Sequence, residues 1–297
     1  MTIQSLYEQG RALLLTAGVP DPGHDAFLLL EEVSGVSHAD FLASPDRIAD
    51  GETASAYLSL CERRAERIPL QYLTGRQVFM GIELAVRPGV LIPRWDTEVL
   101  VESVLSRINE HRENIGAKSC QILDLGCGSG CILISLVRAL KQEGPVRGIG
   151  VDLSQEALAL ADENARANGV SREISWCMSD WYDSVPESDF SVIVSNPPYI
   201  ARDVIDTLEP EVADYEPRRA LDGGEDGLDA YRTIVSSAPD HLADGGLLAV
   251  EIGSDQGEAV AELFAANGFR DAAVIQDLAG LDRVVIGEKN PANKSAD

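Results

Sequence analysis

The chain has 297 residues, 45% of them hydrophobic and 25% charged, enough apolar material for a sizeable core and too much for a disordered chain. Lys and Arg number 24 against 49 Asp and Glu, a net charge of −25 that disfavours a broad nucleic-acid surface and leaves room only for a local basic cleft. No apolar run approaches the roughly 20 residues that span a bilayer, and no basic-then-apolar leader opens the chain, so a cytoplasmic protein without membrane association is expected.

Periodicity in the first 75 residues is helical. Apolar residues at helical spacing predict helices over 3–17, closed by Gly18-Val19-Pro20, over 25–33, with Gly35 behind it, and over 53–67, ahead of Pro69. This segment, 1–75, reads as a small all-helical domain. Alternation around Gly81 and Pro88-Gly89 predicts a β-hairpin over 77–92, the body of a linker at 76–94. From Asp96 strands and helices alternate. Helices are predicted over 96–112, from Ser129, and over 155–168, 228–241 and 256–267. Strands are predicted over 121–125, 148–151, 173–178, 191–195, 247–252, 272–276 and 283–286. Such alternation implies an α/β domain, here 95–289, built on a mostly parallel sheet covered on both faces. A loose tail is expected at 290–297.

Five cysteines, Cys61, Cys120, Cys127, Cys131 and Cys177, form no C-x-x-C pair and no metal spacing, so reduced thiols and no metal site are expected. The first chemical motif is ILDLGCGSG, residues 122–130: an apolar strand runs into Gly126, Cys127, Gly128, Ser129 and Gly130, and a helix follows at once. Glycines there permit a tight turn and close approach of backbone to a ligand. Asp152, in GVDLS at the end of the next strand, suits the two hydroxyls of a ribose. Together they indicate a nucleoside-containing cofactor, with NAD and S-adenosylmethionine both open.

A later strand ends in Asn196-Pro197-Pro198-Tyr199. In an open α/β sheet ligands sit beyond the carboxyl ends of the strands, so this tetrapeptide should face the same cleft. The prolines fix φ and remove two backbone donors, while their carbonyls and the Asn196 side-chain oxygen remain acceptors. Such a cluster holds a planar –NH2 group by its hydrogens, and Tyr199 offers a flat face beside it. The pattern suits methyl transfer to an sp2 nitrogen, where positioning replaces a strong base.

DLGCGSG, VDLS, SDWY and SNPPYI together resemble class I S-adenosylmethionine-dependent methyltransferases that act on exocyclic or amide nitrogens. PLQYLTGRQVFMGIELAVRPGVLIPRWDTEVLVE, residues 69–102, and DYEPRRALDGGEDGLDAYRTI, residues 214–234, narrow the resemblance to the release-factor glutamine methyltransferases, the HemK/PrmC family. The resemblance implies a Rossmann-like, seven-stranded, mostly parallel sheet with a helical N-terminal domain that recognises substrate, joined by the hairpin. It implies S-adenosylmethionine as cofactor, S-adenosylhomocysteine as product, and the Gly-Gly-Gln glutamine of class I peptide-chain release factors as methyl acceptor. Residues 126–130 would wrap the methionine part of the cofactor, Asp152 its ribose, and Asp180 and Trp181 its adenine, with Asn196 at the border. Asn196, Pro197, Pro198 and Tyr199 would bind the glutamine, with Asn196, Pro197 and Tyr199 as the catalytic group. A monomer that binds no nucleic acid directly is expected.

Trp95 stands where the family commonly has proline. Asp96 and Glu98 read as helix N-terminal acids, favourable at the positive end of the dipole, and Arg94 as a contact for cofactor or substrate. The acidic run 209–216 reads as a solvated loop near the cleft, suited to a cationic partner segment. Alternative readings are a methyltransferase for a nucleic-acid amine or a ribosomal-protein glutamine, a non-catalytic cofactor-binding module, and a nicotinamide dehydrogenase. The net charge, residues 69–102 and the intact Asn196–Tyr199 tetrapeptide speak against them.

Overall fold

The computed structural model describes residues 1–110, 120–185 and 189–291; the helix end expected at 111–112 and the tail from 292 onward lie outside them. Two compact units emerge, one formed by Met1–Arg76 with Leu208–Tyr215, the other by Gln77–Thr207 with Glu216–Asp297. Among the described residues no helix is long and apolar enough to cross a membrane.

The first unit carries the three expected helices, Ile3–Thr16, Pro22–Ser34 and Gly51–Ala65. Their starts are set by side chains: Thr2, Asp21 and Asp50 each accept an otherwise unpaired backbone N–H of the first turn. Pro22 at the first turn, its φ already helical, begins the second helix upstream of the predicted Asp25. Leu6, Leu29, Leu30, Tyr57 and Cys61 form the core. Gly10 admits the Tyr57 ring, since a Cβ there would lie 2.0 Å from the tyrosine oxygen. Short helices at His38–Ala43 and Leu70–Thr74 were not predicted, being too short to display a helical period.

The acidic run does not behave as the expected solvated loop. Pro210–Ala213 is a short helix, and Leu208–Tyr215 belongs to the helical unit. Glu211 receives 2.7 Å hydrogen bonds from Arg64 and Arg67, and a second from Arg67 at 2.6 Å. Arg64 also donates to buried Asp25 at 2.7 Å, and the Tyr215 hydroxyl to the Glu66 carbonyl at 2.7 Å. Burial would raise the Glu211 pKa, but the two guanidinium groups outweigh it and hold it below the ordinary range. Glu211 is thus spent inside the protein, while Glu209 and Asp214 stay exposed.

Strands β1 (Arg76–Phe79) and β2 (Ile82–Ala85) make the expected hairpin. Met80 and Gly81 at its tip have φ of 48° and 71°, the left-handed pair of a two-residue hairpin turn. The main sheet comprises β3 (Cys120–Leu125), β4 (Val146–Asp152), β5 (Ile174–Met178), β6 (Phe190–Ser195), β7 (Leu242–Glu251), β8 (Phe269–Gln276) and β9 (Asp282–Lys289). Their order is β5-β4-β3-β6-β7-β9-β8, with β9 antiparallel to both neighbours, so the seven-stranded, mostly parallel α/β expectation holds.

Strict alternation divides the strand side chains between two cores. Ile122, Val192, Val194, Leu247 and Ala249 share one cluster with residues of helices Glu98–Glu110 and Cys131–Leu140. Leu123, Leu125, Ile193, Leu248 and Val250 share the other with residues of Asp229–His241 and Gly257–Ala266. Parallel register then aligns the strand ends. Leu125 pairs with Val151 and with Ser195, and Ser195 with Val250. Gly126, Asp152, Asn196 and Glu251 are thus each the next residue along one row of strands. The chain order reverses direction between β3 and β6, which is where such sheets bind ligands.

Candidate active site

One cleft lies at these strand ends, lined by Gly126, Cys127, Gly128, Ser129, Asp152, Asp180, Trp181, Asn196 and Pro198, all of them expected site residues. Segments 89–94 and 217–220 add Val90, Ile92, Arg94, Pro217, Arg219 and Ala220, for which no individual cleft position was expected apart from Arg94.

The glycine turn is built by backbone conformation. Gly126, Gly128 and Gly130 have φ of 69°, 53° and 79°, a region L side chains rarely enter. Gly130 does not line the cleft: a Cβ there would stand 3.0 Å from Ala161 and from Trp176, so this glycine lets the following helix pack closely. The Cys127 N–H donates to the Val151 carbonyl at 2.9 Å, and its Sγ lies 3.3 Å from where a Gly150 Cβ would stand. Burial pushes the Cys127 thiol well up and the Cys131 thiol to about 12, so neither is a thiolate near neutrality. Asn164, buried and not foreseen, donates to the Ser129 and Ala85 carbonyls and accepts the Ala85 N–H, tying the loop to the hairpin.

Asp152 accepts the Gly128 N–H at 2.9 Å and the Ser154 N–H at 2.8 Å. A carboxylate has about four lone-pair sites, so capacity for hydroxyl donors remains. Asp124, on β3, is fully buried with neither oxygen at hydrogen-bond geometry to a partner. Burial, aided by the charge of Asp152, raises its pKa to about 7. Trp181 adopts φ 45°, strained for a bulky residue. The Ser179 hydroxyl fixes that turn, donating to the Trp181 carbonyl at 2.9 Å and accepting the Ser184 N–H at 2.9 Å.

On the other side, the Asn196 Nδ2 donates to the Thr97 hydroxyl at 3.0 Å. Pro197 is buried, and Tyr199 stands off the cleft wall with its hydroxyl donating to Glu251 Oε1 at 3.3 Å. The Asn196–Tyr199 backbone is clamped from behind. A Cβ on Gly223 would lie 2.8 Å from the Pro198 carbonyl oxygen, and one on Gly227 2.4 Å from that of Tyr199. Gln256 donates to the Tyr199 carbonyl at 3.0 Å. Gly223 and Gly227 of DGGEDG are required by this contact.

The stretch 94–98 keeps its reading, with both acids in first turns and Arg94 at the cleft, and gains partners. Arg94 pairs with buried Glu216, whose pKa burial raises against the opposing pull of the guanidinium. Trp95–Thr97 is a 3-10 turn ahead of helix Glu98–Glu110. Asp96 pairs with Arg283 at 3.2 Å, and Glu98 accepts the Met80 N–H at 2.6 Å, fixing the hairpin tip. The two acids therefore have named partners beyond the helix dipole.

A family model described as PrmC N-terminal domain matches residues 5–75, and one described as Methyltransferase small domain matches 97–210. A release factor glutamine methyltransferase of Caulobacter vibrioides is 41% identical, covering 100% of this chain and 99% of its own. A protein of the same name from Geobacter sulfurreducens is 40% identical over 96% of both chains. Among solved structures, the catalytic domain of hMettl16 with MAT2A 3'UTR hairpin 6 aligns at TM-score 0.53 and 14% identity, covering 80% of this chain and 82% of that one. The T. thermophilus 16S rRNA N2 G1207 methyltransferase, in complex with AdoMet and guanosine, aligns at TM-score 0.51 and 19% identity, covering 72% and 50%. These two share the fold.

Proposed function

The chain belongs to the release factor glutamine methyltransferase family, and from that premise we propose that it methylates the N5 amide nitrogen of the Gly-Gly-Gln glutamine in class I release factors. The cofactor is S-adenosylmethionine, released as S-adenosylhomocysteine. Gly126, Cys127, Gly128 and Ser129 present backbone to its methionine portion, Asp152 accepts its ribose hydroxyls, and Asp180 and Trp181 border its adenine. The cleft fits such a group: left-handed glycines leave one wall bare of side chains, while Val90, Ile92, Leu153 and Trp181 supply apolar surface. When bound, the cofactor supplies a methyl group on a sulfonium cation.

The single observation that carries the reading is the set of bonds at Asn196. Its Nδ2 is occupied by Thr97, which leaves Oδ1 as an acceptor at the cleft. With the Pro197 carbonyl, it takes the two hydrogens of the substrate amide and fixes the plane of its nitrogen. Acceptors aimed at those hydrogens stabilise the positive charge that develops as the nitrogen forms its new bond. The proton leaves afterwards, so no strong base is needed. Pro198 lines the cleft, and Tyr199, which stands off its wall, supports the tetrapeptide through its bond to Glu251.

In this reading residues 1–75 recognise the rest of the release factor, 76–94 link, and 95–289 catalyse. The protein acts as a cytoplasmic monomer without binding nucleic acid itself, in keeping with its net charge of −25. The test is transfer of labelled methyl to a purified release factor, beside a copy with the tripeptide glutamine changed to alanine. Label on the first and none on the second is expected. Label on both would move the reaction to another residue.

A further inference from the structure

Two segments that wall the cleft, 89–94 and 217–220, come from distant parts of the chain. Each is footed on a different side of it. Val90 packs on Ala157 and Leu160 of helix Gln155–Ala167 and stands 3.9 Å from where a Gly128 Cβ would lie, so 89–94 sits against the glycine turn. The turn Arg218–Ala220 runs into Leu221, whose carbonyl accepts the Ile200 N–H at 3.0 Å. The Gly223 N–H then donates to the Ile200 carbonyl at 2.9 Å. Ile200 directly follows Tyr199, so 217–220 is held by the acceptor tetrapeptide.

Glu216, next to Pro217, ties one wall to the other. Its side chain is 1% exposed and lies behind the residues that line the cleft. Its Oε1 accepts from Arg94 Nη2, and its Oε2 accepts the Ile92 N–H at 3.4 Å. Both partners are donors with no lone pair to offer, so both oxygens must accept, as those of a carboxylate do. Arg94, which lines the cleft, thereby has one end of its guanidinium fixed on Glu216. A buried ion pair is weak ground for stability, because desolvation offsets much of the attraction. Its place between the two walls gives this one a consequence for geometry instead.

We infer that Glu216 is a positioning residue that holds the cofactor wall 89–94 and the acceptor wall 217–220 at a fixed separation. It thereby sets the distance between the methyl group and the nitrogen that receives it. This rests on the proposed transfer reaction and adds to it a residue behind the cleft lining. Glu216→Gln is the informative change. Volume is kept, but one acceptor becomes an –NH2 facing a donor, so one of the two ties is lost.

The experiment uses the full-length protein, Glu216→Gln, Arg94→Met and the double variant, each checked for cooperative thermal unfolding. Two rates are measured: release of labelled S-adenosylmethionine into excess unlabelled cofactor, and single-turnover methyl transfer to release factor at saturating cofactor. Glu216→Gln should speed release by about tenfold. It should slow transfer by about 10- to 100-fold, the scale of a misplacement of about 1 Å. Arg94→Met should act alike, and the double variant should stay within about twofold of the worse single variant, because one tie is cut once. Wild-type rates in folded Glu216→Gln, with only the melting temperature lowered, would overturn the inference. So would effects that multiply in the double variant, the signature of an Arg94 that binds ligand independently of Glu216. Should Glu216→Gln fail to fold, Glu216→Asp takes its place in the cycle: it keeps the charge but is one methylene too short to hold both ties. If the wild type leaves release factor unlabelled, the functional reading fails, and cofactor release still decides: an unchanged release rate in the folded Glu216 variant refutes the tie between the walls.

Discussion

The two sides of the cleft are held by different means. On the cofactor side, Gly126 and Gly128 act through their own φ angles, and Asp152 is fixed by N–H groups from its own strand end and the adjacent glycine turn. On the acceptor side, Asn196 depends on a hydroxyl 99 positions away in sequence and Tyr199 on a carboxylate 52 positions away. Backbone-built geometry survives most side-chain changes, because many neighbouring peptide groups share the constraint. A relay of single side chains does not: each member has one partner, and losing it leaves a buried polar group unmatched. The side that binds should therefore tolerate substitution better than the side that orients.

Substitutions can pull the two sides apart. Asn196→Ala should have the largest effect, about 100- to 1,000-fold on methyl transfer, by analogy with loss of one preorganised polar contact at a reacting centre. Cofactor affinity, read by calorimetry, should change little. Asp152→Ala should do the reverse, weakening cofactor binding by about 10- to 100-fold, the worth of hydrogen bonds to a charged acceptor. Gly227→Ala attacks the support behind Tyr199. At φ 76° with a Cβ 2.4 Å from the Tyr199 carbonyl oxygen, it should cost about 2 kcal/mol or more in chemical denaturation and reduce transfer before cofactor binding.

The smallest effect concerns pH. Glu251 titrates near 7 rather than 4.5, chiefly through burial and the charge of Asp96, opposed by Thr97, Tyr199 and Arg283. The folded state then keeps a proton that the unfolded chain releases. This contribution is full below about pH 4.5 and is lost as pH rises toward 7. Wild type should therefore gain stability relative to Glu251→Gln as pH falls from 7.5 to 5. A constant difference in melting temperature over that range would contradict it.

The same contrast explains what the sequence made legible. Gly126, Asp152 and Asn196 each follow an apolar strand directly, so alternation of strands and helices places them in one row once the sheet is parallel. Thr97 lies in a stretch whose acids read naturally as helix-start charges, and Glu251 is one polar residue in an apolar run, LLAVEIG. Nothing local couples them, because Glu251 is brought beside the tetrapeptide by the pairing of β6 with β7, and Thr97 by the turn ahead of helix Glu98–Glu110. The start of β7 was missed for a related reason. Asp244-Gly245-Gly246 reads as a turn, yet Leu242 pairs with Phe190 and extends the strand back through it. The acidic run 209–216 misled because charge was counted without its partners, Arg64, Arg67 and Arg94.

The most direct test of the division is to measure cofactor dissociation constants and single-turnover methyl transfer side by side for Asn196→Ala and Asp152→Ala. Transfer should collapse in Asn196→Ala at near wild-type affinity. Asp152→Ala should bind weakly yet recover most of the wild-type single-turnover rate at saturating cofactor. If affinity and rate fall together in both variants, the cleft works as one unit and the division is wrong.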